Sequence, residues 1–346
     1  MSATPLLRPP PPDRIPDRPP ELDGRARDDV TLVVTTGTDD LVTRFRALPS
    51  LLRPGDLLVV NDSATLPASL PIGDGQERLH LSTPTADGDR IVEVRVATRH
   101  GSLPAIADHA GRRLPLPDGG WAELLAAAPH AGPDGSARLW RARLEVPGEL
   151  LAYLHRQGRP IRYGDPSVAV PLAAYQTRFA RRPGSSEMPS AARPFTRAVV
   201  RALRRCGVGL APITLHTGVS SQELGEPPYA EPFEVPARAA ASVLAARRAG
   251  GRVIAVGTTV ARALETAATG DGRVTAAHGW TEHVIGPGTP IRVIDGLITG
   301  WHEPGASHLD LLAAVAGHDV LARAYAVGDA AGIRWHEFGD SHLLLR

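Results

Sequence analysis

Four consecutive apolar residues, Leu57-Leu58-Val59-Val60, follow the turn Arg53-Pro54-Gly55-Asp56. An uninterrupted run of that length predicts a strand buried on both faces. Upstream, Thr31-Leu32-Val33-Val34 reads as a strand closed by the polar turn Thr36 to Asp40, with a helix expected from about Asp40 to Ala47. Between about Pro67 and Glu149 the period becomes two: Arg78-Leu79-His80-Leu81, Ile91 to Val96 and Arg138 to Leu144 alternate, separated by Asp- and Gly-rich turns. This texture predicts an all-β antiparallel domain over 67–149, inserted between the two parts, 21–66 and 150–346, of an α/β domain.

After Glu149, helices and strands alternate. Thr196 is placed to cap a helix along Val199, Val200 and Leu203, with Gly207 as its stop. Val208 to Leu215 is a strand, and Pro236 opens a helix that ends at Gly250-Gly251. The strand Val253 to Val256 turns through Gly257-Thr258-Thr259 straight into a helix along Val260, Ala263, Leu264 and Ala267. Ile291 to Ile294 and Leu297 to Thr299 flank Asp295-Gly296, a hairpin signal. Ser307 caps a helix, Val320 to Val327 form another, and Leu343 to Leu345 close the chain as a strand. The alternation implies an α/β layer with helices packed outside. Residues 1–20, with Pro9 to Pro12 in a row, predict a mobile, polyproline-like arm.

Composition then removes whole classes of chemistry. The 346 residues carry 38 basic and 37 acidic side chains, and every basic one is arginine. Without lysine there is no Schiff base and no P-loop contact to nucleotide phosphates. Arginine stays charged, so acid–base work falls to His, Asp, Glu, Tyr or the single Cys206. One cysteine builds neither a disulfide framework nor a cysteine zinc cluster. The net charge of +1 gives no global basic footprint. No apolar run reaches about 18 residues, so a cytoplasmic protein without a membrane segment is expected.

In α/β folds ligands sit at the carboxyl ends of strands. Thr214-Leu215-His216-Thr217-Gly218 puts an imidazole at one such end, where it is equally readable as a turn residue. Gly257-Thr258-Thr259 puts a helix N-terminus and two hydroxyls at another, either a polar-group site or a simple cap. Arg262 and Glu265 stand one turn apart on that helix. His302-Glu303-Pro304-Gly305-Ala306-Ser307-His308 is echoed by His336-Glu337-Phe338-Gly339-Asp340-Ser341-His342. Their spacing differs from a zinc helix, so no metal site is expected, and the two read as loops at a common rim.

Taken in order, several segments resemble the S-adenosylmethionine:tRNA ribosyltransferase-isomerase family of queuosine biosynthesis. They are Pro54-Gly55-Asp56-Leu57-Leu58-Val59-Val60-Asn61-Asp62, Tyr175-Gln176-Thr177, Thr214 to Gly218, Ile254 to Thr259 with Arg262 and Glu265, Trp301-His302, and Phe338-Gly339-Asp340. The resemblance implies a barrel-like α/β main domain with the inserted β domain. It also implies a reaction with no metal or bound cofactor, taking S-adenosylmethionine as co-substrate and tRNA as partner; a monomer is expected. The implied reaction moves and isomerises the ribosyl group onto an aminomethyl-deazaguanine of tRNA, giving epoxyqueuosine and releasing adenine and methionine.

That chemistry needs a base beside the sulfonium, for which His216 and His302 are the candidates, with Glu231 and Asp295 behind them. Thr258, Thr259 or Asp340 would assist departing adenine, and Arg262 near Gly257 would hold the methionine carboxylate. Ser190, Thr214, Gly218, Tyr175 and Gln176 complete the binding set that the resemblance implies. Departures fall at Pro194, where the family has histidine, at Ala64 and Ser69, where it has arginines, and at Gly300, where it has asparagine. They keep two alternatives open: a related enzyme acting on a small acceptor, and a non-catalytic ligand-binding paralogue.

Overall fold

Along Leu57–Asn61 the side chains part by period two. Leu57 and Val59 join one buried cluster, and Leu58 and Val60 join another on the opposite face. The computed structural model describes residues 9–98, 101–129, 131–163, 168–219 and 228–346. In it this strand is an interior one, fourth of nine across a sheet. The order across that sheet is Ala277–Thr281, Glu231–Val235, Gly209–Leu215, Leu57–Asn61, Val253–Val256, Gly296–Thr299, Ser341–Leu345, Thr31–Thr35 and Asp40–Arg44. Gly209–Leu215, Leu57–Asn61, Val253–Val256 and Gly296–Thr299 are mutually parallel, so their carboxyl ends share one rim. No ladder among the described residues joins the two edge strands. The hydrogen bonding is therefore that of an open sheet rather than a closed barrel.

Helices Ala237–Arg248, Thr258–Thr266, Ser307–Ala316 and His318–Ala330 feed the first cluster. The second is packed by Phe45 and by helix Arg197–Arg205, whose Val199, Val200 and Leu203 point inward. The Thr196 hydroxyl accepts from the Val199 N–H at 3.2 Å, as a cap should. Phe195, 1% exposed, takes Phe45 and Phe179 edge-on at 5.0 and 5.4 Å. Phe195→Ala is expected to cost about 3–5 kcal/mol in denaturant unfolding.

A second sheet, antiparallel and seven-stranded, lies within residues 69–145. Its core continues past the expected boundary into Tyr153, Leu154 and Ile161, because helix Leu150–Gln157 lays its buried side on that sheet.

Three expectations change. Asp40–Arg44 is an edge strand, not a helix: it pairs antiparallel with Thr31–Thr35, and the Thr35 hydroxyl donates to Asp40 at 2.7 Å. Residues 291–294 form no hairpin strand, since the Glu265 carboxylate accepts from the N–H groups of Arg292, Val293 and Ile294. The amino-terminal arm is docked where it is described: Trp335 N–H donates to Arg14 at 2.9 Å and Pro20 is buried. Its first eight residues lie outside the described ones. Among the described residues no helix is long and apolar enough to cross a membrane.

Candidate active site

The shared rim carries a cavity of about 420 Å³. Three of the four strand ends contribute: Thr217 and Gly218 after Leu215, Gly257 to Thr259 after Val256, and Gly300 to His302 after Thr299. The antiparallel neighbours enter from the other direction, bringing Glu231 at the start of its strand and His336 and Glu337 just before Ser341. Glu187 to Ala191 close the remaining wall.

Gly257, at φ 100°, bends the chain directly into helix Thr258–Thr266, where a side chain would be strained. The helix N-terminus thus faces the cavity, and the buried Thr259 hydroxyl has no hydrogen-bond partner among the described residues. A free donor there, with the helix dipole, suits an anionic group.

Arg262, 5% exposed, ion-pairs with Glu231 and donates to the carbonyls of His283, Tyr229 and Thr281 at 3.0, 3.0 and 3.3 Å. Glu231 accepts a further bond from Gly218 N–H at 2.9 Å. Burial pushes the Glu231 carboxyl up, and Arg262 and Gly218 oppose it.

His302 and His308 stack at 4.4 Å, and Thr299 Oγ1 lies 2.9 Å from His302 Nε2. Burial, with the neighbouring histidines, holds His302 well below the usual histidine value, and burial with Arg262 lowers His308 to about 4. Both rings are neutral at pH 7. Glu337 moves the opposite way, raised to about 8 by burial and then by the charge of Glu187. His336 Nε2 lies 2.9 Å from Glu303. Its φ of 66° is left-handed, a conformation that residues other than glycine hold under constraint. His336 also lines a recess with Pro194, Gly300 and Asp340, so an imidazole reaches the neighbourhood of the proline that stands where a histidine was expected.

A family model described as queuosine biosynthesis protein matches residues 10–344. The chain belongs to that family. Curated proteins named S-adenosylmethionine:tRNA ribosyltransferase-isomerase are similar to it. The one from Acidiphilium cryptum is 38% identical, covering 86% of this chain and 87% of its own. The one from Azoarcus sp. is 34% identical, covering 95% and 96%. The crystal structure of S-adenosylmethionine tRNA ribosyltransferase from Thermotoga maritima aligns with a TM-score of 0.54 at 25% identity, covering 98% of this chain and 99% of that one.

In this queuosine biosynthesis protein the cavity gathers Ser190, Gly218, Glu231, Gly257, Thr258, Thr259, Arg262 and His302 from the expected set. Six others lie outside its lining. His216 is turned to Ser63 at 2.7 Å, with Gly184 against its ring. Thr214 donates to Asp62 at 2.6 Å. Tyr175 packs edge-on against Phe338 at 5.3 Å, and Gln176 bonds the Thr65 backbone both as donor and as acceptor. Asp340 accepts from Thr31 N–H at 2.6 Å and Arg334 N–H at 2.7 Å.

Asp295 sits at the amino ends of the parallel strands, opposite the cavity rim, accepting from Val253 N–H at 2.8 Å, so it is a strand-end cap rather than a base. Asp295→Asn is accordingly expected to leave kcat for adenine release within about threefold of wild type, the scale of a surface polar change. Arg262 needs correction too: its donors are taken by Glu231 and three carbonyls, so it braces the wall instead of holding a carboxylate.

Glu187, Asp310, His308 and Glu337 are cavity residues that sequence reasoning did not assign. The paired His-Glu segments were the available signal for His308 and Glu337, and nothing local marked Asp310.

Proposed function

We propose that this chain is an S-adenosylmethionine:tRNA ribosyltransferase-isomerase. It transfers and isomerises the ribosyl group of S-adenosylmethionine onto the aminomethyl-deazaguanine of tRNA. The observation that carries this reading is the charge of the cavity. Glu187, Glu231 and Asp310 line it against Arg262, which Glu231 already pairs. Such a field favours a cationic ligand, and a sulfonium is one. The end of helix Thr258–Thr266, with the Thr259 hydroxyl, takes the methionine carboxylate in the place first considered for Arg262.

Acid and base follow from the opposite shifts. His302, kept neutral, accepts the proton from the carbon beside the sulfonium. Glu337, raised to about 8 and so protonated at pH 7, donates to adenine as it leaves with the electron pair of its bond to the sugar. The electron pair freed beside the sulfonium bonds to the ribosyl carbon that adenine leaves and closes the carbocycle. The substrate amine, losing a proton, displaces the ring oxygen from its other carbon, and that oxygen closes the epoxide as methionine departs with the carbon–sulfur pair. His336, steadied by Glu303, stands in for the imidazole absent at Pro194.

The reaction so written uses no metal and no bound cofactor, and the chain acts as a cytoplasmic monomer. The second sheet, residues 69–145 with helix Leu150–Gln157, is a module set into the α/β domain.

Adenine and methionine release, followed with S-adenosylmethionine in the presence and absence of tRNA carrying the aminomethyl-deazaguanine, tests this. Release that requires this tRNA is expected. Release without it points to a small acceptor, and no release points to a binding paralogue.

A further inference from the structure

The sequence has serine at position 69, where the family pattern sets an arginine. The structure brings two arginines to that serine. Arg78 donates from Nε to the Ser69 hydroxyl and from Nη2 to its carbonyl, both at 2.7 Å. Arg159 forms a two-way backbone bridge to Ser69, each bond 2.9 Å. Burial, and after it repulsion by the Arg159 guanidinium, lowers the Arg78 pKa. Among the described residues neither has a carboxylate partner, and the Arg159 side chain is exposed. Like charges held together without a counter-ion are costly unless an anion neutralises them.

A chain of contacts links the pair to the cavity wall. Ser69 is in register with His80, whose ring meets Tyr163 at 6.1 Å, and the Tyr163 hydroxyl donates to Glu187 of the cavity. A phosphate here would be held outside the acidic cavity, which itself repels it.

We propose that Arg78 and Arg159 clamp a backbone phosphate of the RNA substrate at Ser69 on the second sheet, outside the cavity, which rests on the tRNA reading above. Such contacts position an RNA without reading its sequence. A competing basic surface exists: Arg197, Arg201, Arg204 and Arg205 lie exposed within about 100° of one helix face.

Kinetics with tRNA bearing the aminomethyl-deazaguanine decide between them. Arg159→Ala removes a side chain with no partner among the described residues. Arg78→Lys keeps a charge and loses the fork. Each is expected to raise KM for tRNA, about tenfold for Arg159→Ala, with kcat and KM for S-adenosylmethionine unchanged. In Arg159→Ala the slope of log affinity against log salt should fall by about one. Unchanged KM and salt slope in both variants would overturn the clamp. So would a loss confined to a variant with the four helix arginines replaced by alanine. If wild-type enzyme shows no tRNA-dependent release, the functional reading falls separately, and fluorescence anisotropy with the same labelled tRNA still decides the clamp.

Discussion

Glu337→Gln is expected to slow adenine release by about 10²- to 10⁴-fold, the usual worth of a general acid. The wild-type rate should fall on the alkaline side with an apparent pKa near 8, where the raised Glu337 carboxyl gives up its proton. In the variant that limb should vanish while the residual rate stays flat. Stability carries the same signature with a definite sign. In the folded state Glu337 binds its proton up to about 8, against 4.5 when solvated, so between those values the native chain holds more protons than the unfolded one. Wild-type stability therefore declines as pH rises through that window, and Glu337→Gln should remove this part of the decline. Urea unfolding at intervals from pH 5 to 9 reads it directly. An alkaline limb that survives in Glu337→Gln would assign the acid to another group.

Arg262→Ala is expected to destabilise the fold by about 3–5 kcal/mol, because it strands a buried carboxylate. Glu231 would keep only the Gly218 N–H, and three carbonyls would lose their donor. The lost brace borders the cavity, so adenine release should fall at least a hundredfold even below the new melting temperature. Glu231→Gln retains an acceptor for Gly218 and should cost less, about 1–3 kcal/mol. Equal losses from the two variants would mean that the ion pair acts as a unit. A catalytic rather than bracing Glu231 would instead show itself as a large drop in kcat with little change in unfolding.

The parallel strands were legible because the features that specify them are local. The run Leu57 to Val60 sits between two helical layers, and Thr196 and Gly207 mark their helix ends by side chain and backbone alone. Asp40–Arg44 was not legible, since what makes it a strand is its partner Thr31–Thr35. Residues 291–294 carried a hairpin pattern that a distant carboxylate, Glu265, overrides by satisfying their N–H groups.

The site divides along the same line. Glycine and threonine at the strand ends announce a ligand rim, and the motif order identifies the family. The state of each titratable group depends on contacts no window of sequence contains. Glu337 is raised by burial and by Glu187, and Arg262 is consumed by carbonyls from a neighbouring strand and loops. His216, prominent in its motif, is turned to Ser63 by the pairing of Ser63–Thr65 with Arg182–Ser185.

The most direct measurement is mass analysis of nucleosides from tRNA bearing the aminomethyl-deazaguanine, after incubation with this protein and S-adenosylmethionine. The expected result is conversion of that base to its epoxycyclopentanediol derivative, with one adenine and one methionine released per base converted. An unaltered nucleoside alongside full turnover of S-adenosylmethionine would contradict tRNA as the acceptor.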